Sequence, residues 1–182
     1  MIKLHIGCGS RDFGRDWLHI DGNRTYPHVD LHNIHDIELP DDSVELIYAS
    51  HLLEYFDRKE VLPLLAEWNR VLKKGGVLRL SVPDIQRLIE IYRENDLDAI
   101  LGPLYGKMKI DSNDSKYVYH KTIYDEPSLQ KVLEVSGFKD VRRWNWKETE
   151  HHYIDDHSQA YFPHMDKTYG VLISLNLEAT KR

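Results

Sequence analysis

Short apolar runs alternate with an amphipathic stretch in the first half of this chain. Residues 1–6, 17–20, 44–49 and 77–82 are mostly apolar and are bounded by glycine, proline or aspartate, which predicts four strands. Before the last of them, apolar residues recur at helical spacing and predict a helix, namely Val61, Leu64, Leu65, Trp68, Val71 and Leu72. Strands that alternate with helical segments are typical of an α/β domain.

The second half continues this alternation but is interrupted twice. The pattern predicts helices at 85–95 and 125–137 and strands at 138–146 and 170–179. Asp125 is a suitable N-cap, and glycine ends the second helix. The polar stretches at about 96–120 and 147–168 do not fit this alternation, and 111–115 reads as a loop. We expect one domain over residues 1–182, with both insertions forming a lid over the substrate.

A glycine turn follows the first predicted strand at once. Gly7-Cys8-Gly9 ends that strand, and Asp21 follows the second strand. Glycines allow close approach of the backbone to a ligand, and a carboxylate can accept hydrogen bonds from both hydroxyls of a ribose. The pattern therefore predicts a nucleoside site. Taken alone, two glycines at a strand end also suit an ordinary turn.

Four segments together resemble the class I S-adenosylmethionine-dependent methyltransferases. They are residues 4–10, 36–40, 50–55 and 70–78, and they stand in the family's order over roughly residues 1–84. The resemblance implies a Rossmann-like α/β fold with a mostly parallel, seven-stranded sheet. It also implies an antiparallel last strand and helices on both faces of the sheet.

The same resemblance implies S-adenosylmethionine as cofactor and assigns residues to it. The glycine turn and Arg11 would lie near the methionine part, Asp21 at the ribose, and Asp36 with the Ile37 backbone at the adenine. The residues implied in cofactor binding are Gly7, Cys8, Gly9, Arg11, Asp21, Asp36, Ile37, Ser50 and His51. Two alternatives stay open, since Arg11 could be a solvated surface cation and Asp36 a turn residue.

Methylation of a hydroxyl group requires a base, which is most often histidine. His51 follows a strand directly, His120 precedes the helix after the first insertion, and His157 lies in the second insertion. Asp84 follows the strand at 77–82 and could orient the base or bind a hydroxyl. His51 could instead pack on the cofactor, and Asp84 could simply cap a helix.

The second insertion is rich in histidine and aspartate between residues 151 and 166. Such side chains can bind metals, but no pair has a tight ligand spacing on an assured helix, so we expect no metal site. The alternatives are a lid over the acceptor and a plain surface excursion. The segments 155–161 and 173–179 also resemble a subgroup of small methyltransferases found with glycan-assembly enzymes, which implies a sugar hydroxyl as acceptor.

The sequence therefore favours an O-methyltransferase acting on a small molecule, such as a sugar of a surface glycan. Two alternatives remain, which are methylation of another metabolite (an amine, a lipid or a quinone precursor) and a non-catalytic partner subunit. The presence of both Asp21 and Asp36 favours an active enzyme, because an inactive subunit, with or without the cofactor, has no need of both.

Composition indicates which classes of partner and which cellular compartment to expect. The net charge of -6 and the absence of a basic run argue against nucleic acid as partner. No apolar run approaches the roughly 20 residues of a membrane span. Because a strand is predicted to start almost at Met1, we expect that the N-terminus is not a signal peptide. The single cysteine, Cys8, fits a reducing compartment. We expect a cytoplasmic protein; a homodimer is left open.

Overall fold

A six-stranded sheet forms the centre of the molecule, in the order β2-β1-β3-β4-β10-β7. The computed structural model describes residues 1–109 and 117–182, so the loop predicted at 111–115 lies outside the described residues. The strands of this sheet are β1 (Ile2–Ile6), β2 (Trp17–Ile20), β3 (Val44–Ser50), β4 (Leu72–Pro83), β7 (Phe138–Arg143) and β10 (Ser174–Lys181).

The sheet is parallel at one edge and antiparallel at the other. β1 pairs in parallel with β2 and β3, and β3 pairs in parallel with β4. The last strand, β10, is antiparallel to both β4 and β7. The main sheet has six strands rather than the predicted seven, and in the part of the chain that the structure describes only a single parallel bridge, from Ile20 to Leu31, extends it beyond β2. The polar stretch around Leu31 offers too few apolar positions for a buried strand.

Among the described residues, four α-helices accompany the sheet. They are α1 (Val61–Val71), α2 (Ile85–Glu94), α3 (Asp98–Tyr105) and α4 (Glu126–Val135). Asp125 and Ser128 form a reciprocal capping box at the start of α4, as the aspartate and the following proline predicted. No helix of the described residues is long and apolar enough to cross a membrane.

The remaining elements are short. Two hairpins stand apart from the main sheet, formed by β5 (Lys107–Lys109) with β6 (Tyr117–Tyr119) and by β8 (Tyr161–Phe162) with β9 (Val171–Leu172). The predicted last strand therefore divides, since its first residues pair in β9 and the main sheet resumes only at β10. Single 3-10 turns lie at Leu53–Tyr55, Trp146–Glu148 and His157–Gln159.

One face of the sheet carries the main hydrophobic core. The α1 residues Leu64 and Trp68 and the α4 residue Leu133 are fully buried in one cluster with Leu4 and Leu177 of the sheet. At about 25 cal/mol per Å² of buried apolar surface, this face supplies much of the stability. We refer to it as the helical face.

The hydrophobic cluster on the opposite face of the sheet contains no helix residue among those that the structure describes. Phe13, Trp17 and Tyr48 are buried there with Trp144 and Ile154, and no described residue of α1 to α4 belongs to this cluster. The connection between the glycine turn and β2 is too short for a helix. The second insertion crosses this face instead, so part of that insertion is structural cover. We refer to this side as the loop face.

Candidate active site

The glycine turn joins the ends of the first two strands. Gly7 and Gly9 have φ of +70° and +55°, a region that glycine adopts at little cost. A Cβ on Gly7 would lie 2.9 Å from Leu52 Cδ2, so a larger residue would have to displace that side chain as well as adopt the strained positive φ. Burial raises the pKa of the Cys8 thiol to about 12, which leaves Cys8 protonated and limits it to a backbone role.

Asp21 is fixed at the end of β2 by the same turn. Its carboxylate accepts the Gly9 N–H at 2.8 Å on one oxygen and the Asn23 N–H at 2.8 Å on the other. A carboxylate offers about four acceptor positions, so two remain. These free positions beside a glycine-lined turn fit the ribose of a nucleoside cofactor.

Arg11 connects the glycine turn to the second insertion. Its Nε donates to the carbonyl oxygen of Asp155 at 2.8 Å, and a Cβ on Gly9 would lie 3.8 Å from Arg11 Nη1. The guanidinium group therefore lies over the turn rather than free in solvent. This contact brings the His157 region next to the predicted cofactor site.

The two residues predicted to bind adenine, Asp36 and Ile37, differ in their surroundings. Asp36 is exposed and lines a cleft with Arg24, Asp30 and His32. Ile37 is buried, and its N–H already donates to Glu67 Oε1 at 2.7 Å. A contact from the Ile37 amide to adenine would have to share or release that bond.

Ser50 and His51 lie at the carboxyl end of β3, where a strained backbone turns the chain. His51 has φ of 49°, which is uncommon for a residue other than glycine. Its Nε2 lies 2.7 Å from the Ser174 hydroxyl, and its Nδ1 lies 3.3 Å from Glu54 Oε1. Burial, followed by the neighbouring His157, lowers the pKa of His51 well below its usual value, so the ring is neutral.

His120 reaches the same place from the segment before α4. Its Nδ1 lies 2.9 Å from the Pro103 carbonyl oxygen, and its Nε2 lies 3.8 Å from Glu54 Oε1. The backbone carbonyl of Glu54 accepts the Lys121 N–H at 2.8 Å, which fixes this approach. Burial lowers the pKa of His120. Both ring nitrogens thus face groups of the protein.

His157 is the exposed member of the three histidines. Its ring centroid lies 5.3 Å from that of His51, and no hydrogen bond to its ring nitrogens is found within the described residues. Although its edge is exposed, the protein around the ring lowers its pKa, and the positive charge of Arg11 lowers it further. A neutral ring with a free nitrogen can accept a proton at neutral pH.

Asp84 caps a helix, as one of the two alternatives for this residue predicted. It is buried, and its carboxylate accepts the Gln86 N–H at 3.0 Å as the N-cap of α2. Among the described residues, no hydrogen bond joins Asp84 to any of the three histidines. A catalytic role for Asp84 therefore stays a prediction.

Several residues of this region could not be identified from sequence. Glu54 is fully buried, and its only local signal is a charge within an apolar run. His28 Nε2 lies 3.1 Å from the Gly9 carbonyl oxygen and braces the glycine turn, without any motif to indicate it. Among the described residues, no three His, Cys, Asp or Glu side chains converge in a way that could hold a metal ion.

Comparison with known proteins agrees with this architecture. Residues 13–80 match the sequence profile of a family described as "Methyltransferase domain". No curated protein sequence matches the chain. The match, on this fold, supports an S-adenosylmethionine-dependent methyltransferase with S-adenosylmethionine as its cofactor.

Solved structures show the same fold at low sequence identity. An S-adenosylmethionine-dependent methyltransferase from Methanosarcina mazei has a TM-score of 0.62 at 18% identity, covering 99% of this chain and 92% of that one. One from Archaeoglobus fulgidus has a TM-score of 0.61 at 19% identity, covering 99% and 86%. A Burkholderia thailandensis 1,6-didemethyltoxoflavin-N1-methyltransferase, solved with S-adenosylhomocysteine, has a TM-score of 0.54 at 14% identity, covering 99% and 70%.

Proposed function

We propose that the protein transfers a methyl group to a hydroxyl group of a small molecule, with a sugar as the acceptor. The observation that carries the proposal is the position of His157, an uncommitted histidine that Arg11 links to the glycine turn. Polar residues of the second insertion surround this position, which suits a hydroxylated acceptor. The resemblance of the tail to methyltransferases found with glycan-assembly enzymes supports a sugar.

His157 is the base in this proposal. His51 and His120 are less suitable, because the ring nitrogens of both face other protein groups. Bound S-adenosylmethionine would supply a methyl group on a positively charged sulfur, and the sulfur–carbon bond that breaks would leave its electron pair on the neutral sulfur of S-adenosylhomocysteine. His157 removes the acceptor proton as the acceptor oxygen forms its bond to carbon, and the ring leaves the step as an imidazolium ion. Alignment of the acceptor and exclusion of water remain for the two insertions.

An acceptor screen tests the reaction itself. The purified chain is incubated with methyl-labelled S-adenosylmethionine and a panel of sugars, nucleotide sugars and amines, and the products are read by mass spectrometry. Label on a sugar oxygen is expected. Label on an amine alone would contradict the sugar proposal, because an amine needs no base of this kind. Turnover should persist in a chelator, since no residue is assigned to a metal.

Two substitutions separate binding from catalysis. Asp21→Ala should weaken cofactor affinity by roughly tenfold, because hydrogen bonds to a charged acceptor contribute about 1.5–3 kcal/mol each. His157→Ala should lower turnover by about 10² with unchanged cofactor affinity. Asp16→Ala and His152→Ala are exposed controls in the same segments and should change neither quantity. Full turnover in His157→Ala would exclude it as the base.

A further inference from the structure

Glu54 is a fully buried carboxyl group with no hydrogen-bond partner for either oxygen within the described residues. Its Oε1 lies 3.3 Å from His51 Nδ1 and 3.8 Å from His120 Nε2. A buried carboxylate without a partner is costly, whereas a protonated carboxyl group can donate a hydrogen bond. The partners of the two histidines decide between these two forms.

The tautomer of His51 follows from the hydroxyl group that it faces. Ser174 donates its only hydroxyl hydrogen to the carbonyl oxygen of His157, so its oxygen must accept from His51 Nε2. The hydrogen of a neutral His51 is therefore on Nε2. Its Nδ1 carries a lone pair, and that lone pair faces Glu54.

The tautomer of His120 follows from a carbonyl group. The Pro103 oxygen can only accept, so Nδ1 of His120 carries the hydrogen. Nε2 of His120 then also turns a lone pair towards Glu54. An ionised Glu54 would face two lone pairs, whereas a protonated Glu54 can donate to one of them. Burial raises the pKa of Glu54 to about 8, in agreement with this assignment.

The other titratable groups around Glu54 do not supply a counter-charge. Burial raises the pKa of both Tyr55 and Tyr124 to about 12, so both are neutral. The Lys121 ammonium group pairs with Glu60 at 2.8 Å. The Arg58 guanidinium group lies over the Tyr124 ring and donates to Thr122 Oγ1 at 2.9 Å.

We propose that Glu54 is a positioning residue, whose protonated carboxyl group stabilises this tautomer of His51 and thereby holds the loop that carries His157. In this proposal the protonated Glu54 donates to His51 Nδ1 across the 3.3 Å that separates them, His51 Nε2–H donates to Ser174, and Ser174 donates to the His157 carbonyl oxygen. The inference rests on the proposed function, in which His157 is the base. Glu54 itself does not touch the acceptor.

This arrangement predicts that turnover falls at alkaline pH and that the substitution Glu54→Gln removes this fall. Above the pKa of about 8, Glu54 loses its proton, the donor at the head of the chain disappears, and turnover falls. A glutamine at this position has the same shape and carries N–H donors at every pH. Glu54→Gln should therefore keep turnover within about twofold of wild type at neutral pH and lack the alkaline decline. Glu54→Leu should lose about tenfold or more.

The experiment combines nitrogen spectra of the histidine rings with pH profiles of turnover. Long-range ¹H–¹⁵N spectra of the full-length labelled protein report the tautomer of His51, assigned with His51→Gln. Wild type and Glu54→Gln should both show hydrogen on Nε2 at neutral pH, and only wild type should change at about pH 9.5. Glu90→Gln, an exposed carboxylate on α2, is the matched control and should behave as wild type.

The outcomes are distinct. Hydrogen on Nδ1 of His51 in wild type, or a Glu54→Gln variant that binds cofactor but has lost turnover, would overturn the inference. If Glu54→Leu fails to fold, the comparison of wild type with Glu54→Gln still decides. The spectra need no acceptor, so they test the inference even if the acceptor screen contradicts the proposed function.

Discussion

The two faces of the sheet are stabilised by different means. On the helical face, α1 and α4 bury apolar side chains such as Trp68 in one continuous cluster. On the loop face, Tyr48 donates to the buried carboxylate of Asp156, which also accepts the backbone N–H and hydroxyl of Ser158 at 2.8 and 2.5 Å. Asn176 extends this network to the Ser158 carbonyl oxygen at 3.0 Å.

The difference follows from the backbone hydrogen bonds of the segment that packs on each face, which is helical on one face and a loop on the other. A helix satisfies its own backbone hydrogen bonds, so apolar side chains suffice to attach it. A loop that crosses a sheet has free N–H and C=O groups, and these need side-chain partners when they are buried. The loop face therefore carries polar anchors, and the same loop brings His157 to the end of β3. The stability of that face and the position of the base are coupled.

Trp68→Ala should give the largest effect and act on the helical face alone. Removal of a fully buried tryptophan side chain costs about 3–5 kcal/mol of unfolding free energy, through lost burial and the cavity that remains. Urea unfolding measures this loss. Leu62→Ala, at a position on the same helix that is 45% exposed, should cost far less and is the control. Equal losses would show that α1 does not pack as described.

Asp156→Ala should be the strongest single change on the loop face. It leaves the buried Tyr48 hydroxyl and Ser158 N–H without their partner, at a cost of about 3 kcal/mol. Turnover should fall as well, because the loop that carries His157 loses its anchor. Asp155→Ala removes an exposed pair with Lys167 and should cost less than about 0.5 kcal/mol. A folded, fully active Asp156→Ala variant would contradict the coupling.

His151→Phe should have the smallest effect and the opposite sign. His151 stacks on Phe13 at 4.2 Å with neither ring nitrogen hydrogen bonded among the described residues, so a phenyl ring should stabilise by about 1 kcal/mol at neutral pH. Burial lowers its pKa to about 4 from 6.5. The stability of the neutral ring is thus present above pH 6.5 and is lost as the pH falls towards about 4.

Urea midpoints measured across that pH range test this sign. The variant should gain most over wild type at the acid end, where wild type must bury a charge or protonate on unfolding. His164→Phe is an exposed control and should leave the pH dependence unchanged. A variant that is less stable than wild type at every pH would show that the ring nitrogens do find partners.

The helical face was predictable because its signals are local. Helical spacing predicted α1, and the aspartate and proline at 125–127 predicted the start of α4. The glycine turn and Asp21 were also located from a pattern spanning only 15 residues, 7 to 21. The expectation of a seventh strand came from resemblance, and it failed because the polar stretch around Leu31 offers too few apolar positions for a buried strand.

Of the candidate site, the sequence alone determined the residue types and the strand ends that carry them. It identified His51, His120 and His157 as candidate bases and could not rank them. Only the tertiary structure brought Glu54, Ser174 and these rings together. Within residues 1–109 and 117–182, the ring nitrogens of His51 and His120 face protein groups, whereas those of His157 have no hydrogen-bond partner. The physical reason is distance along the chain, since Tyr48 and Asp156 are 108 residues apart and no local pattern encodes a contact of that kind. Local periodicity determines elements, and hydrogen-bond partners are decided by packing.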